Sequence, residues 1–486
     1  MKNKILLFSL AVVLFATSCK KNEIIDEPID PVAANVVEVT GEISTNTTWS
    51  ASKIYSLKGF VYVSNGATLT IEPGTIIKGD KATKATLVVT RGSKINATGT
   101  VDKPIVFTSA LAAGARSQGD WGGIILLGKA PVNQGTDVKI EGGLVQPTGK
   151  DEKLFIFYGG TDAADNSGTL KYVRIEYAGI AFTVDNEING LTMGGVGSGT
   201  TLDYIQVYRS GDDAFEWFGG TVNAKHLYAV GTWDDDFDTD FGYSGNVQFA
   251  IAQRVATVAD QSGSNGFESD NDGNGSNLTP KTSAVFSNVT VLGPIRAAGG
   301  SLNANYQNGA QIRRNSSISI LNSVFSGFPV GIYIDDTKVT TAGATSTNYA
   351  AGSMVFANNL IYGTKTTEVS ISTASLLTTI DAGLRANNTF VQTSFAAALF
   401  TAPYLYTTDF GVDNANPALT TLGNANFTLT AGSTAATGAL FTDAKVSGSF
   451  FEKVAYKGAF GTDNWVAGWT QVDPQKLAYT TPGVVK

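Results

Sequence analysis

Three stretches of the chain align at one fixed offset, and this short repeat constrains the fold more than any other feature. Ile205, Leu227 and Phe249 lie 22 residues apart, and residues 212–216 align with residues 234–238 at the same offset. A short period of strand-like segments is typical of a solenoid, and about 20–25 residues suits one coil of a parallel β-helix. Equivalent positions then stack about 4.8 Å apart. The repeat predicts Phe over Phe inside the coil and carboxylate over carboxylate outside it.

The rest of the sequence continues this strand pattern without sustained helical periodicity. Alternating segments such as residues 60–63 and 68–71 are followed by Gly, Asn or Pro, and residues 72–75 read Glu-Pro-Gly-Thr, which is a turn composition. An Asn-bearing strand recurs at residues 288–291, 322–325, 358–361 and 387–390. We expect these Asn side chains to form a ladder of amide hydrogen bonds at one corner of the coil.

These patterns predict an all-β chain that forms a right-handed parallel β-helix solenoid in a single domain over residues 39–486. We interpret residues 130–153 as a long excursion from the coil and residues 189–200 as a glycine-rich insertion. A solenoid needs its open ends covered, so we expect N- and C-terminal caps. Trp465 and Trp469 suit the C-terminal cap, which we place at about residues 450–486.

Composition narrows the class of partner. The chain has 486 residues with 54 Gly, only 16% charged residues and a formal net charge of −8. Nucleic-acid binding requires a basic surface, so we predict no nucleic-acid partner. The negative charge fits a secreted or cation-binding protein, which we expect to be a monomer.

The N-terminus predicts export. Lys2 and Lys4 precede an apolar run at residues 5–15 that is too short for an ordinary spanning helix, so residues 1–18 are typical of a signal peptide. Cys19 is the sole cysteine, and the preceding Ala-Thr-Ser resembles a bacterial lipobox, whose Cys is lipidated. Residues 19–38 then form a flexible tether. We expect a lipid-anchored protein of the outer membrane, exposed at the cell surface; the alternative is an unmodified Cys in an ordinary signal peptide.

An acidic strip is the strongest candidate for chemistry. Asp234, Asp236, Asp238 and Asp240 alternate, so in a strand they share one face, with Phe237 and Phe241 on the other. Stacked carboxylates repel unless a cation lies between them, and calcium accepts six to eight oxygen ligands. The predicted calcium ligands are Asp212, Asp213, Glu216, Asp234, Asp236, Asp238, Asp240, Glu268, Asp270, Asp272 and Asn274. The alternative is a solvated acidic face that prevents edge-to-edge aggregation.

A second calcium signal lies at residues 270–275. Asp270, Asp272 and Asn274 followed by Gly275 place oxygens as in the first half of an EF-hand loop. The twelfth position is Lys281 rather than Glu, so the motif is incomplete. A plain Asx-rich turn explains the segment equally well.

Aromatic residues are concentrated around the acidic strip. Such rings stack on sugars, and carboxylates accept hydrogen bonds from sugar hydroxyls, so the sequence predicts a glycan groove. The candidate ligand-binding aromatics are Trp217, Trp233, Tyr208, Tyr228 and Tyr243. The alternative is that half or more of them pack in or against the coil.

Several segments resemble a family of Bacteroidetes-type surface lipoproteins with a right-handed parallel β-helix, or pectin-lyase-like, fold. The matching segments are residues 55–63, 71–79, 119–123, 213–223 and 458–461. Such proteins are often labelled as multidrug transporters, although no segment after the signal peptide suits a membrane span. The resemblance implies the fold and a surface location, and the family has no settled activity.

The leading functional expectation is non-catalytic binding or adhesion to a polysaccharide or other surface ligand, with calcium ordering the acidic face. A glycoside hydrolase or polysaccharide lyase is the alternative. Asp212 and Asp213 resemble the paired aspartates of β-helical polygalacturonases, but the Gly-His-Gly motif of those enzymes is missing, since His226 is the sole histidine. A lyase would need a base, for which Arg209 or Arg254 are candidates. A purely structural surface role is the third possibility.

Overall fold

The structure, a computed structural model, describes residues 35–183, 186–404 and 425–486. The predicted signal peptide at residues 1–18, Cys19 and the tether up to residue 34 lie outside the described residues. The first strand of the described chain starts at Val36, before the predicted domain boundary at residue 39. The described chain is a parallel β-helix, which confirms the predicted fold class.

Strands dominate the described chain. In the first half they are β1 (Val36–Ile43), β2 (Thr47–Trp49), β3 (Ile54–Val63), β4 (Thr68–Ile71), β5 (Ile76–Gly79), β6 (Thr86–Val89), β7 (Lys94–Thr98), β8 (Ile105–Ser109), β9 (Gly123–Leu127), β10 (Val138–Lys139), β11 (Phe157–Tyr158), β12 (Gly168–Glu176), β13 (Ile180–Thr183), β14 (Asn186–Ile188), β15 (Leu191–Gly194), β16 (Thr201–Tyr208), β17 (Phe215–Phe218), β18 (Asn223–Val230) and β19 (Phe237–Asp240).

The second half adds shorter strands and two helices. The strands are β20 (Asn246–Gln253), β21 (Phe267–Ser269), β22 (Val285–Ser287), β23 (Thr290–Leu292), β24 (Asn308–Ile312), β25 (Ser319–Leu321), β26 (Val324–Ser326), β27 (Val330–Ile334), β28 (Phe356–Ala357), β29 (Leu360–Tyr362), β30 (Thr367–Ile371), β31 (Thr389–Val391), β32 (Phe400–Ala402) and β33 (Asn426–Leu429). The helices are α1 (Ala344–Ala350) and α2 (Leu377–Asn387), and single 3-10 turns occupy Glu152–Leu154, Ala396–Ala398 and Pro474–Lys476.

Each coil contributes to three parallel sheets. Sheet 1 contains β2, β4, β7, β22, β25 and β28, together with the first halves of β12, β16, β18 and β20. Sheet 2 contains β5, β8, β23, β26, β29 and β31, together with the first half of β3 and the second halves of β12, β16, β18 and β20. Sheet 3 contains β6, β9, β15, β17, β19, β21, β24, β27 and β30, together with the second half of β3. The long strands are therefore bent between sheets 1 and 2.

The register confirms the phenylalanine stack but corrects one alignment. Phe215 lies opposite Phe237, and Phe237 lies opposite Phe267, with ring centroids 5.9 and 5.0 Å apart. In sheet 2, however, Leu227 pairs with Ala250 rather than with Phe249. This coil is one residue longer than the repeat, which places Phe249 at the corner between sheets 1 and 2 rather than in the inward column.

The excursion before β12 packs on the outer surface of sheet 3. Its residues Val132, Ile140 and Phe155 form a buried cluster with the outward side chains of Tyr62 and Phe218. Phe241, expected inside the coil, packs instead against Phe218 in this outer cluster, with ring centroids 5.6 Å apart. The excursion therefore forms a wall beside the acidic strands.

The C-terminal segment is not the predicted end cap. Residues 433–486, here called the C-terminal strap, run back along the outside of sheets 1 and 2 toward the first coils. The side-chain amide of Gln248 donates to the carbonyl of Glu452 at 2.8 Å, and that of Gln206 donates to the carbonyl of Gln471 at 2.8 Å. Near the N-terminal coils, Val485 joins a buried cluster that contains Ile54, Ile76 and Val106.

Helix α2 covers the C-terminal end of the coil instead. Its residues Ile380 and Leu384 are fully buried in the coil's own hydrophobic core. Helix α2 also contacts β28 and β30, two strands of the last coil. The helix was not expected from the sequence, because only a few of its eleven residues are strongly apolar.

Candidate cation-binding site

Sheet 3 stacks three carboxylates in one outward column. Glu216, Asp238 and Glu268 follow directly after the inward phenylalanines of β17, β19 and β21, and they lie opposite one another in the strand register. Because side chains alternate along a strand, the residue after a buried Phe points outward. The predicted stacking of carboxylate over carboxylate is present in the structure.

The turns before these strands add a second row. The backbone N–H of Asp235 donates to the Asp213 carboxylate at 2.7 Å, and the N–H of Asp213 donates to Asn189 Oδ1 at 3.2 Å. The same pattern continues when Asn265 N–H donates to Asp235 and Asn308 N–H donates to Asn265 at 3.0 Å. One carboxylate oxygen of Asp213 and of Asp235 therefore supports the turn ladder, and the other is available to a ligand.

The two rows converge into three groups of possible cation ligands. In each group the carboxylate oxygens lie within 4.8 Å of one another. The groups are Asp212, Asp213 and Asp234; Asp213, Glu216 and Asp238; and Asp235, Asp238 and Glu268. These seven residues, here called the carboxylate strip, form a continuous row because neighbouring groups share Asp213 or Asp238. Asp235 was not among the predicted ligands, although its equivalence to Asp213 in the 22-residue repeat could have identified it.

The carboxylates of the strip repel one another strongly, because they are close together and largely buried from solvent. Burial and the adjacent Asp212 hold the pKa of Asp213 well above its ordinary value. Burial and Asp260 raise the pKa of Asp234 to about 6, and burial raises the pKa of Glu268 to about 8. The buried oxygens Asp234 Oδ1 and Asp238 Oδ1 have no hydrogen-bond partner among the described residues. Such atoms are costly unless a cation or a proton compensates them.

The wall beside the strip adds two further acids that the sequence did not indicate. Glu141 lies in the excursion, and Glu187 lies on β14 of the hairpin β13–β14. The hairpin is fixed to the excursion by Asn186, whose Oδ1 accepts the N–H of Gly142 at 2.7 Å. Burial and Glu187 raise the pKa of Glu141 to about 8, against the opposing effect of its hydrogen bond with Glu216. These two residues could not be found from the sequence pattern, because they are distant from the strip in the chain and only the packing of the excursion brings them to it.

Asp236 and Asp240 are not part of the three groups. Asp236 is completely buried and forms an ion pair with Arg254 at 3.0 Å, because it lies in the turn before β19 where strand alternation does not hold. Asp240 shares the outward face of β19, but its Oδ1 accepts the N–H of Phe241 at 2.6 Å. The prediction that four alternating aspartates share one face is therefore wrong for Asp236.

The acidic side chains of the segment from residue 270 are bound to other groups of the protein. Asp270 is held by two arginines, with Arg313 Nε at 2.9 Å and Arg314 Nη1 at 2.6 Å. Asp272 accepts the N–H of Asn274 at 2.9 Å and the hydroxyl of Ser276 at 2.5 Å. The carboxylates of Asp270 and Asp272 and the backbone N–H of Asn274 thus have partners within the protein, as the Asx-turn alternative expects.

Four of the five candidate aromatic ligands are structural. Trp217 and Tyr243 are completely buried inside the coil, where their rings stack with centroids 5.3 Å apart. Tyr208 and Tyr228 are buried in the cluster between sheet 2 and the C-terminal strap. Trp233 is partly buried and donates its ring N–H to Asp260 at 2.8 Å. Burial removes Trp217, Tyr243, Tyr208 and Tyr228 from any sugar-binding surface, which corrects the prediction for these four residues.

Two of the residues considered for catalysis, His226 and Arg254, are engaged elsewhere. His226 stacks on Tyr204 with centroids 4.0 Å apart, and its Nδ1 lies 2.8 Å from Asp203 Oδ1. Although burial opposes the charge, Asp236 raises the pKa of Arg254 further above its ordinary value. Arg254 is therefore unsuited to act as the base of a lyase.

The sequence matches the model of the pectate-lyase-like β-helix domain over residues 41–399. No curated protein matches the chain significantly. The described residues contain no helix with both the length and the apolar character of a membrane span.

Proposed function

The chain belongs to the family of pectate-lyase-like β-helix domains, and from this premise we propose that it binds polysaccharide through cations held by the carboxylate strip. The observation that carries the proposal is the convergence of seven carboxylates in three overlapping groups. Their raised pKa values and unpartnered oxygens indicate a site that is stabilised when positive charge is added.

Calcium is the cation that the donor set fits best. The strip offers only oxygen ligands, several of them carboxylates, which hard divalent cations prefer. Calcium accepts irregular arrangements of six to eight oxygens, so residues of adjacent coils and water can share in its coordination. The ligands would be Asp213, Glu216 and Asp238 in the central group, with Asp212 and Asp234 before it. When bound, calcium would supply positive charge and coordination positions for oxygens of the ligand.

The chemistry of this surface favours an acidic polysaccharide. Four of the five aromatic candidates are buried, so ring stacking is not the main source of affinity. A cation on a carboxylate strip can instead bridge to uronate or sulfate groups, and the excursion lies beside it, where Glu141 is hydrogen-bonded to Glu216. The proposal is non-catalytic binding of such a polysaccharide.

The test is calcium-dependent retention. The purified protein without residues 1–34 is run in gels that contain acidic or neutral polysaccharides, with calcium or with chelator. We expect retardation only with an acidic polysaccharide and calcium, and its loss in Asp238→Asn. The matched control is Asp102→Asn, which removes the same charge from a side chain that is 95% exposed. Equal retardation in chelator, or in Asp238→Asn, contradicts the proposal.

Hydrolysis is the second candidate, because Glu141 has the property of a general acid. Its pKa of about 8 keeps it protonated at neutral pH, and a second carboxyl group, that of Glu216, lies beside it. The test is release of reducing ends from the same polysaccharides. Product formed by the native protein and abolished in Glu141→Gln replaces the binding proposal with a hydrolase. Product that persists in Glu141→Gln is assigned to another enzyme in the preparation.

We further propose that Cys19 anchors the protein to the outer membrane by lipid, exposed at the cell surface. This proposal rests on the residues before the described chain. Metabolic labelling with a fatty acid checks it, since Cys19→Ser is expected to lose both the label and the membrane association. Retention of the label in Cys19→Ser contradicts the anchor.

A further inference from the structure

We propose that Arg313 is a built-in cation that occupies the C-terminal end of the carboxylate strip and confines bound metal ions to the two groups before it. The inference rests on the proposed function, because it concerns how many ions the strip holds. It assigns to Arg313 a role in setting the ion stoichiometry and not only in stability.

The position of Arg313 follows from the coil register. Gln311 on β24 lies opposite Glu268 on β21, and Arg313 comes two residues later, one coil beyond the strip. Its Nε donates to Asp270 Oδ1 at 2.9 Å and its Nη2 to Asp270 Oδ2 at 3.2 Å. Nη2 also forms an ion pair with Glu268 Oε1. The guanidinium therefore reaches back to the third group of ligands, which contains Glu268.

The two ends of the strip differ in electrostatic environment. Near Asp213 the neighbours that raise the pKa are all carboxylates, namely Asp212, Asp238, Asp235 and Glu216. At Glu268 the largest effect after burial is the opposing effect of Arg313, which favours the ionised carboxylate. Although burial disfavours charge on Arg313, Glu268 and Asp270 raise its pKa further above the ordinary value. Arg313 is thus a permanent positive charge in direct contact with the third group. Arg254 also lowers the pKa of Asp234 in the first group, but its guanidinium pairs with Asp236, outside the strip.

This asymmetry decides where divalent cations bind. A carboxylate oxygen that accepts a guanidinium N–H has less capacity to ligate a metal, and a positive charge beside the site repels a dication. In the third group, formed by Asp235, Asp238 and Glu268, the guanidinium of Arg313 therefore already supplies the positive charge. The first two groups, which share Asp213, have a deficit of positive charge that metal ions are expected to fill.

The experiment counts ions in the native protein and in Arg313→Gln. Calcium alone is titrated by isothermal calorimetry, with equilibrium dialysis as a second measurement. We expect about two ions in the native protein, one for each group without arginine, and about three in Arg313→Gln. Arg313→Lys, which keeps the charge, is expected to retain the native count. The matched control is Arg385→Gln, whose guanidinium pairs with Glu368 and Asp381 around helix α2.

A second pair of variants keeps the test valid if Arg313→Gln does not fold. Glu268→Gln is expected to keep the native calcium count, because this carboxylate binds Arg313 rather than a metal ion in the native protein, and its affinity for calcium is expected to fall by less than that of Asp213→Asn. Asp213→Asn is expected to lower the count or weaken binding at least tenfold, since it removes a ligand shared by both groups. Circular dichroism and a cooperative melting transition establish that each variant is folded.

The outcomes separate this inference from the proposed function. If the native protein binds no calcium, the calcium role in the proposed function fails and the inference fails with it. If the native protein binds calcium but Arg313→Gln gains no ion, the inference is overturned and the proposed function stands. Loss of calcium binding in Glu268→Gln overturns the inference in the same way.

Discussion

At the residue scale, the coil depends on one corner position that takes a left-handed backbone conformation. Between sheets 1 and 2 this position has φ between 50° and 60°, and its residues are Tyr172, Tyr204, His226, Phe249, Asn288, Asn322 and Asn358. Asn tolerates this conformation better than most residues, whereas an aromatic residue costs about 1–2 kcal/mol there. Among the aromatic residues of this corner, ring stacking offsets that cost, as between Tyr204 and His226. Among the Asn residues, side-chain hydrogen bonds do so, as where Asn358 Nδ2 donates to Asn322 Oδ1 at 2.6 Å.

Asn322 tests the energetics of this corner. It donates to the carbonyl of Leu440 at 2.9 Å and accepts the N–H of Leu440 at 2.9 Å, so it also fixes the C-terminal strap. Asn322→Ala is expected to lower the free energy of unfolding by about 2–4 kcal/mol, from lost hydrogen bonds and a strained φ. Asn322→Gly loses the same bonds without the strain and is expected to be about 1 kcal/mol less destabilising. Denaturant unfolding measures both, and equal losses contradict the backbone contribution.

Trp217 tests the assignment of the aromatic residues. It packs inside the coil against Phe215 and Tyr243 and is completely buried. Trp217→Phe is expected to destabilise the fold by about 1–3 kcal/mol and to leave polysaccharide retention unchanged, because the ring touches no outer surface. Thermal melting and the gel assay are measured on the same sample. Weakened retention at temperatures where the variant is fully folded contradicts the assignment.

At the scale of elements, the coil is closed by a helix and braced by a strap. The sequence analysis assigned the two C-terminal tryptophans to an end cap, but Trp469 packs on the side of the coil against Tyr172 and Tyr204, with centroids 5.8 and 6.0 Å away. Sheet 2 exposes aromatic and amide side chains along its outer face, and a segment that covers them buries apolar area while satisfying the amides. Helix α2 performs the capping role.

Helix α2 offers a matched pair of leucines. Leu384 is fully buried over the last coil, whereas Leu377 on the same helix is 43% exposed. Leu384→Ala is expected to lower the free energy of unfolding by about 2–5 kcal/mol, through lost burial and a cavity at the open end of the core. Leu377→Ala is expected to change it by about 0.5 kcal/mol or less. Similar effects of the two substitutions contradict the role of α2 as the cap.

At the scale of the whole molecule, the carboxylate strip links stability to pH and to cations. The pKa values of Glu141 and Glu268 are raised from 4.5 to about 8, so ionisation of these groups disfavours the folded state. Their contribution to stability is fully present below the unfolded pKa, near pH 4.5, and is lost as pH rises through about 8. A dication bound by the first two groups removes part of this loss, because its charge lies close to Glu141, which is hydrogen-bonded to Glu216.

This linkage predicts a pH profile with and without calcium. In chelator, the melting temperature is expected to fall by about 5 °C or more between pH 5 and pH 8, with a smaller fall in Glu141→Gln. With calcium in excess the melting temperature at pH 8 is expected to rise, because ligand binding to the folded state stabilises it. Scanning calorimetry across this range checks both effects. A melting temperature at pH 8 that is independent of calcium contradicts cation binding by the strip.

The sequence by itself determined the coil, its phenylalanine interior and the existence of an acidic outer column, because strand alternation and a fixed repeat are local properties. The repeat also contained Asp235, which lies one coil after Asp213. Only the tertiary structure decided which carboxylates converge. Turn residues do not follow strand alternation, so Asp236 turned inward to Arg254 while Asp235 joined the strip. Glu141, Arg313 and the path of the C-terminal strap depend on packing between segments far apart in the chain, for which no local pattern exists.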